Sequence, residues 1–188
     1  MRIYILLAHP DSESFNGQIA EAYAEQAQKK GHEVRVQKLG EMTFDPILRQ
    51  GFKANQGLEA DLQEAQANLI WCDKWLIIYP VWWGSVPALL KGFLDRTLLP
   101  GFAFKYHQND PFWDKLLKGK TAEIITTSDS PAWWLWWQYH NSDLNAIRKA
   151  TLEFCGFSYI KTTRISRVRF LKPEERKKQI QKIISKIK

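Results

Sequence analysis

Two cysteines, Cys72 and Cys155, are all that this 188-residue chain contains. Neither stands in a CxxC or other metal-ligand spacing, which excludes a disulfide framework and a cysteine-built metal site. The apolar start from Ile3 to Ala8 is only strand length, too short for the core of a signal peptide, so a reduced, cytoplasmic protein is the expectation. No apolar run approaches the roughly 20 residues needed to cross a bilayer. Both glycine-rich phosphate loops, GxGxxG and GxxxxGKS/T, are missing, so the usual dinucleotide and P-loop readings have no support. There is no internal repeat, low-complexity stretch or linker. The length suits one domain over residues 1–188, and 45% apolar with 25% charged residues is a globular composition.

What is present in excess is indole. Nine tryptophans stand in the chain, and flat rings of that kind wall planar ligands or anchor interfaces. The net charge of +7 is the second unusual feature. Residues 161–188 hold eleven Lys or Arg against two Glu, so the excess of positive charge is confined to the tail and the rest is slightly acidic. From Pro173 onward, Ile180, Ile183, Ile184 and Ile187 form one helical stripe with lysines on the other faces. The simplest reading is a closing helix packed on the domain. Peripheral association with a membrane surface, or a partner, is the alternative. Nucleic acid is not expected, because the basic residues have no recognition-helix or aromatic-interleaved arrangement.

The order of elements follows from periodicity. Arg2 to Ala8 is an unalternating apolar run, as in a strand covered on both faces. A helical pattern runs from about Gly17 to Lys30 and is closed by Gly31. Glu33–Leu39 reads as a strand, Leu58–Ile70 as a helix, and Lys74–Tyr79 as a strand. A helix follows from near Pro87 to about Leu98, proline suiting the first turn. Gly101–Tyr106 reads as an irregular or hairpin excursion. Lys120–Thr127 is a strand, Asn141–Cys155 a helix and Tyr159–Val168 a strand before the last helix. Alternation of this kind favours an α/β fold with a doubly wound, five-stranded parallel sheet and helices on both faces.

In such sheets ligands sit beyond the carboxyl ends of the strands, where strand order reverses. The loops after strands one, three and four are His9–Asn16, Pro80–Ser85 and Thr126–His140. The first brings hydroxyls and backbone N–H groups to the start of a helix, a place that suits a phosphate, although capping by Ser14 or Asn16 alone would also explain it. The second places Trp82 and Trp83 at a strand end, where an indole can lie along a planar ring; core or interface packing is the competing explanation. The third adds hydroxyl and backbone donors.

Three separated stretches together resemble the NAD(P)H:quinone oxidoreductases of DT-diaphorase type, within the flavodoxin-like fold. They are Leu7-Ala8-His9 with Ser14-Phe15-Asn16, then Pro80-Val81-Trp82-Trp83-Gly84-Ser85-Val86-Pro87-Ala88 with Leu90-Lys91-Gly92 and Asp95-Arg96, and Gly101-Phe102-Ala103-Phe104. Thr126-Thr127 and Phe154-Cys155-Gly156-Phe157 fit as well. The resemblance implies strand order 2-1-3-4-5 and a bound flavin, FAD with FMN as the alternative, with NAD(P)H as co-substrate and no metal. It implies that His9, Ser14, Phe15, Asn16 and Gln18 surround the phosphate and ribityl parts. Pro80, Val81, Trp82, Trp83 and Gly84 would line the ring, while Thr126, Thr127, Ser128 and Asp129 face its other polar edge. Trp134 falls where the family commonly has a tyrosine, and Ser128-Asp129 where it commonly has two glycines, so a tyrosine–histidine proton relay does not carry over intact.

By the same resemblance, His140 matches the active-site histidine and, with Trp83, Phe104 and Tyr106, would form the acceptor pocket. Phe104 and Tyr106 would reach across a homodimer interface. Tyr106 and His140 are thus the catalytic candidates. The run Trp133-Trp134-Leu135-Trp136-Trp137 is either an aromatic lid or a dimer-interface plug. One face serving both substrates in turn implies ping-pong transfer of two electrons to a quinone-like acceptor. Two other readings remain: a flavin-binding regulatory subunit of a membrane transport system, and an electron-transfer flavodoxin.

Overall fold

The computed structural model describes residues 1–53 and 56–187. Its three inner strands, β1 (Arg2–Leu7), β3 (Lys74–Pro80) and β6 (Thr121–Ser128), are buried almost from end to end. Burial on both faces is why RIYILL and KWLIIYP carry no polar alternation. The edge strands β2 (Glu33–Lys38) and β7 (Ser158–Ser166) are more exposed and correspondingly polar. All pairings in this sheet are parallel, in the order β2-β1-β3-β6-β7. With the two strands of a separate hairpin left out of the count, this is the expected order 2-1-3-4-5.

Successive strand residues point to opposite faces, which divides the core in two. Tyr4, Leu6, Trp75, Ile77, Tyr79 and Ile124 pack with Leu62 and Leu69 of α2 (Ala60–Trp71) and Leu90 and Phe93 of α3 (Ala88–Thr97). Ile3, Ile5, Leu7, Leu76, Ile78 and Ile125 meet Ile19, Tyr23 and Ala27 of α1 (Phe15–Lys29) and Ile183 of α6 (Pro173–Ile184), with Ile187 just beyond its end. The isoleucine stripe of the tail is therefore packed on the sheet beside α1. Its lysines are left in solvent.

Charged groups are also buried within this frame. Glu123, near the start of β6, accepts hydrogen bonds from Tyr23 Oη at 2.9 Å, Lys74 Nζ at 3.3 Å and Lys161 Nζ at 2.7 Å. Burial alone would raise its pKa, but the Lys161 and Tyr23 hydrogen bonds and the Lys74 charge outweigh that and hold it below the usual carboxylate value. The guanidinium of Arg96, on α3, is fully buried and donates to the carbonyls of Asp45 and Gly57 and to the Glu59 carboxylate. It clamps the long connection between β2 and α2.

Residues 101–106 do form the expected excursion. β4 (Phe104–Tyr106) pairs antiparallel with β5 (Trp113–Lys115) as a two-stranded hairpin outside the main sheet. The segment Thr126–His140, read above as a loop, contains instead a helix, α4 (Ala132–Tyr139), opened by Pro131. Its sequence AWWLWWQY is apolar almost all round, so no 3.6-residue stripe marks it as helical. The helix expected over Asn141–Cys155 begins as α5 (Ser142–Ile147) and continues as a π-helical segment over Arg148–Glu153.

Candidate active site

The carboxyl ends of β1, β3 and β6 open on one cavity of about 400 Å³, within the roughly 300–1,000 Å³ range of small-molecule sites. The first loop supplies its anion-facing wall. Ser14 caps α1, its Oγ accepting from the Gly17 N–H at 3.2 Å, and the loop folds so closely on the helix that a Cβ on Gly17 would lie 1.8 Å from the Ser12 carbonyl oxygen. Only glycine permits that approach. His9 is held at Nδ1 by the backbone of Asp11, whose N–H lies at 3.0 Å, and its ring meets Trp82 edge-on at 5.6 Å.

Asn16 is 2% exposed, and its Oδ1 accepts from the Thr127 hydroxyl at 2.8 Å. Its Nδ2 is buried without a partner on the cavity wall. An unmet buried donor costs about 1–3 kcal/mol. The N-terminal turn of α1 adds a favourable end for negative charge. This wall therefore suits a ligand carrying an acceptor or an anion.

The second loop is a tight turn. Trp82 and Ser85 exchange backbone hydrogen bonds at 3.0 and 2.9 Å, and the two residues between them, Trp83 and Gly84, have φ of +52° and +68°. Two positive φ values in a two-residue loop are the mark of a type I′ turn. Gly84 is suited to it, and a Cβ there would press on the Tyr139 ring at 3.2 Å. Trp83 is not, since a bulky side chain in the left-handed region is strained by about 1–2 kcal/mol. The indole is nonetheless fully exposed, at the cavity rim, with no packing in this chain that repays the strain. The third loop brings Thr127, Ser128 and Asp129 to the same cavity, with the Ser128 hydroxyl donating to the Ser130 carbonyl.

Of the residues proposed from sequence, the cavity brings together His9, Ser14, Phe15, Asn16, Pro80, Val81, Trp82, Trp83, Gly84, Thr127, Ser128 and Asp129. Others stand elsewhere. Gln18 borders a separate groove along α1. Thr126 is fully buried, pointing from β6 to the face opposite Thr127. Trp134 faces a neighbouring cleft. His140 ends α4 in the left-handed conformation at φ +50°, exposed, and does not border the cavity. The helix instead presents Leu135 and Tyr139, four residues apart and so on one face. Phe104 is 7% exposed and packs edge-on against Phe154 at 5.1 Å, inside its own subunit, whereas Tyr106 is 60% exposed.

Tyr139, Ser130 and Val168 complete the lining and were not singled out in the sequence, and Leu135 joins them from the aromatic run. The Arg176 guanidinium, from α6, stands 5.5 Å from the Phe15 ring and donates to the Val168 carbonyl, next to the same wall. The only signal for Tyr139 was its place beside His140. Among the described residues, no group of three or more His, Cys, Asp or Glu is placed to hold a metal ion.

A parallel sheet of this order, with a cavity at the reversal between β1 and β3 and no glycine-rich phosphate loop, defines the flavodoxin-like class. The model of the family described as flavodoxin-like fold matches residues 1–188. NAD(P)H dehydrogenase (quinone) 1 of Rattus norvegicus is 30% identical over 203 residues, covering 93% of this chain and 72% of the relative. The enzyme of the same name from Cavia porcellus is 32% identical over 187 residues, and the matched part spans 66% of its length. The crystal structure of Smu.1420 from Streptococcus mutans superposes with a TM-score of 0.80 at 30% identity, covering 98% of this chain and 97% of its own. The chain belongs to the NAD(P)H:quinone oxidoreductases of the flavodoxin-like fold family.

Proposed function

We propose that residues 1–188 form one flavin-binding domain that transfers two electrons from NAD(P)H to a quinone-like acceptor. The observation that carries this reading is that one cavity is lined by Asn16, Trp82 and Trp83: a buried amide N–H₂ without a partner and two indoles at the end of a neighbouring strand. A tricyclic ring with polar edges and a phosphate tail fits that combination of donors and flat walls. The flavin, when bound, supplies the redox step. His9, Ser14 and the first turn of α1 bind its phosphate, Asn16 and Thr127 hold the ribityl side and one polar edge, and Trp82 and Trp83 exclude water. We assign FAD rather than FMN on the first-loop match. Arg176 favours it as well, as a cation beside the Phe15 wall suited to a second phosphate.

The reading includes a homodimer in which Tyr106 of one subunit reaches the cavity of the other. Exposed Trp83, Tyr106, Phe112, Trp133, Trp136 and Trp137 support it, because large uncovered aromatics mark interfaces. In that arrangement Tyr139 and Tyr106 are the hydroxyls that position the acceptor. His140 remains a proton-delivery candidate only if the neighbouring subunit brings the chain end of α4 over the ring. No described helix is long and apolar enough to cross a membrane. Two measurements test the proposal. Chromatography of the chromophore released from purified protein identifies the flavin, and initial velocities at several acceptor concentrations give parallel lines for ping-pong transfer. A colourless protein that retains no flavin, or intersecting lines, would refute it.

A further inference from the structure

Beside the flavin cavity lies a second cleft, of about 530 Å³, that shares Asp129 and Ser130 with it and is walled by Trp134, Phe170, Arg167 and Arg169. We propose that this cleft takes the 2′-phosphorylated adenosine end of NADPH and makes the enzyme select NADPH over NADH. The proposal rests on the flavin-reductase reading above. A dinucleotide whose nicotinamide lies over a flavin ring needs a second subsite for its adenosine, and two clefts joined by shared residues provide a continuous path.

The chemistry of the walls is specific. Both guanidinium groups stand over the Phe170 ring, Arg167 at 5.4 Å and Arg169 at 4.6 Å from its centre, so their positions are set before any ligand arrives. Among the described residues neither makes an ion pair or a side-chain hydrogen bond. Their donors are therefore available to a phosphate, which matches the guanidinium fork. Asp129 is the opposing charge, but its Oδ1 accepts the backbone N–H of Arg169 at 2.9 Å, and two cations against one carboxylate leave the cleft positive. Trp134 offers a partly buried indole against which an adenine can stack. Arg167 also sits in the left-handed region at φ +60°, a strained conformation for an arginine.

The test compares the flavin-loaded wild type, the double variant Arg167→Gln/Arg169→Gln, and a charge-matched control, Lys177→Gln/Lys178→Gln, on exposed α6. Calorimetric titration with adenosine 2′-monophosphate, adenosine 5′-monophosphate and inorganic phosphate reads the subsite without catalysis. The wild type and the control bind the 2′-monophosphate at least tenfold tighter than the 5′-monophosphate, and tighter than inorganic phosphate. The double variant loses that difference. In turnover, KM for NADPH rises tenfold or more in the double variant while KM for NADH stays within twofold. Equal affinity for the two nucleotides in wild type overturns the proposal, as does a variant that keeps the preference. So does a 2′-monophosphate that binds only after the flavin is removed, since the cleft would then hold the flavin's own adenosine. Failure of the underlying reading is separately visible as a protein that retains no flavin before any titration begins.

Discussion

Asn16 and Trp83 are the two residues whose own energetics argue for a ligand. Asn16→Ala removes an unmet buried N–H₂ but also the acceptor of the Thr127 hydroxyl, two opposing changes of about 1–3 kcal/mol each, so the protein without ligand changes little in stability. The flavin-loaded protein, in contrast, loses a charge-assisted or neutral hydrogen bond of about 1–2 kcal/mol, roughly five- to thirtyfold in flavin affinity by fluorescence titration. Trp83→Gly relaxes a left-handed φ of +52° without removing any packed surface. The expected outcome is a fold more stable by about 1 kcal/mol in urea denaturation, together with weaker flavin binding. If instead the variant unfolds more easily and binds flavin as before, the turn is structural. The two thiols give the opposite case. Burial pushes Cys72 up to about 11 and Cys155 up to about 12, so both thiols stay protonated at neutral pH. An aromatic disulfide reagent should titrate no thiol in the native protein and two after denaturation.

Elements, more than single residues, decided what could be read in advance. The inner strands and α1 were legible because burial on two faces leaves an unbroken apolar run and burial on one leaves a helical stripe; the strand order came from the family resemblance, since periodicity does not say which strands pair. The loops after β1 and β3 were legible because polar residues and paired indoles stand out at strand ends. α4 was not: with four tryptophans and one leucine in eight residues, its buried face at Leu135 cannot be told from its exposed ones. For the same reason Tyr139, next to His140, could not be picked out as a lining residue before the helix turn was known. Two further elements carry charge that predicts pH behaviour. Glu123 has a lowered pKa, so its contribution is complete above about pH 4.5 and vanishes as pH falls through the lower native value. Glu123→Gln should cost about 2–3 kcal/mol at pH 7, less than a fully buried pair because Lys161 is half-exposed, and should flatten the loss of stability between pH 5 and 3 in denaturant melts. In the hairpin, the Asp110 and Asp114 carboxylates raise the His107 pKa. Its tie across β4 and β5 is thus present below about pH 6.5 and released as pH rises through the raised value, and an NMR titration of the imidazole should show the midpoint falling in Asp110→Asn.

At the scale of the whole molecule the open question is whether one chain holds a complete site. The cavity is walled on three sides by strand-end loops, with the exposed indole of Trp83 at its rim; Trp136 and Trp137 are exposed on α4, and Tyr106 projects from a hairpin that does not line the cavity. A two-fold dimer would cover these rings and supply Tyr106 from the neighbour, since a symmetric interface uses the same patch twice. Complementation separates that arrangement from a self-sufficient monomer. Asn16→Ala disables the flavin wall and Tyr106→Ala the donated hydroxyl. If sites are shared, a mixed dimer contains one site with both defects and one with neither. Random re-association of equal amounts of the two variants makes half of the dimers mixed and half of their sites intact, so activity should recover to about one quarter of wild type. The rise should follow the rate of subunit exchange and be absent when either variant is incubated alone. Chains that work singly, or dimers in which Tyr106 serves its own subunit's flavin, give no recovery above the sum of the two separate activities.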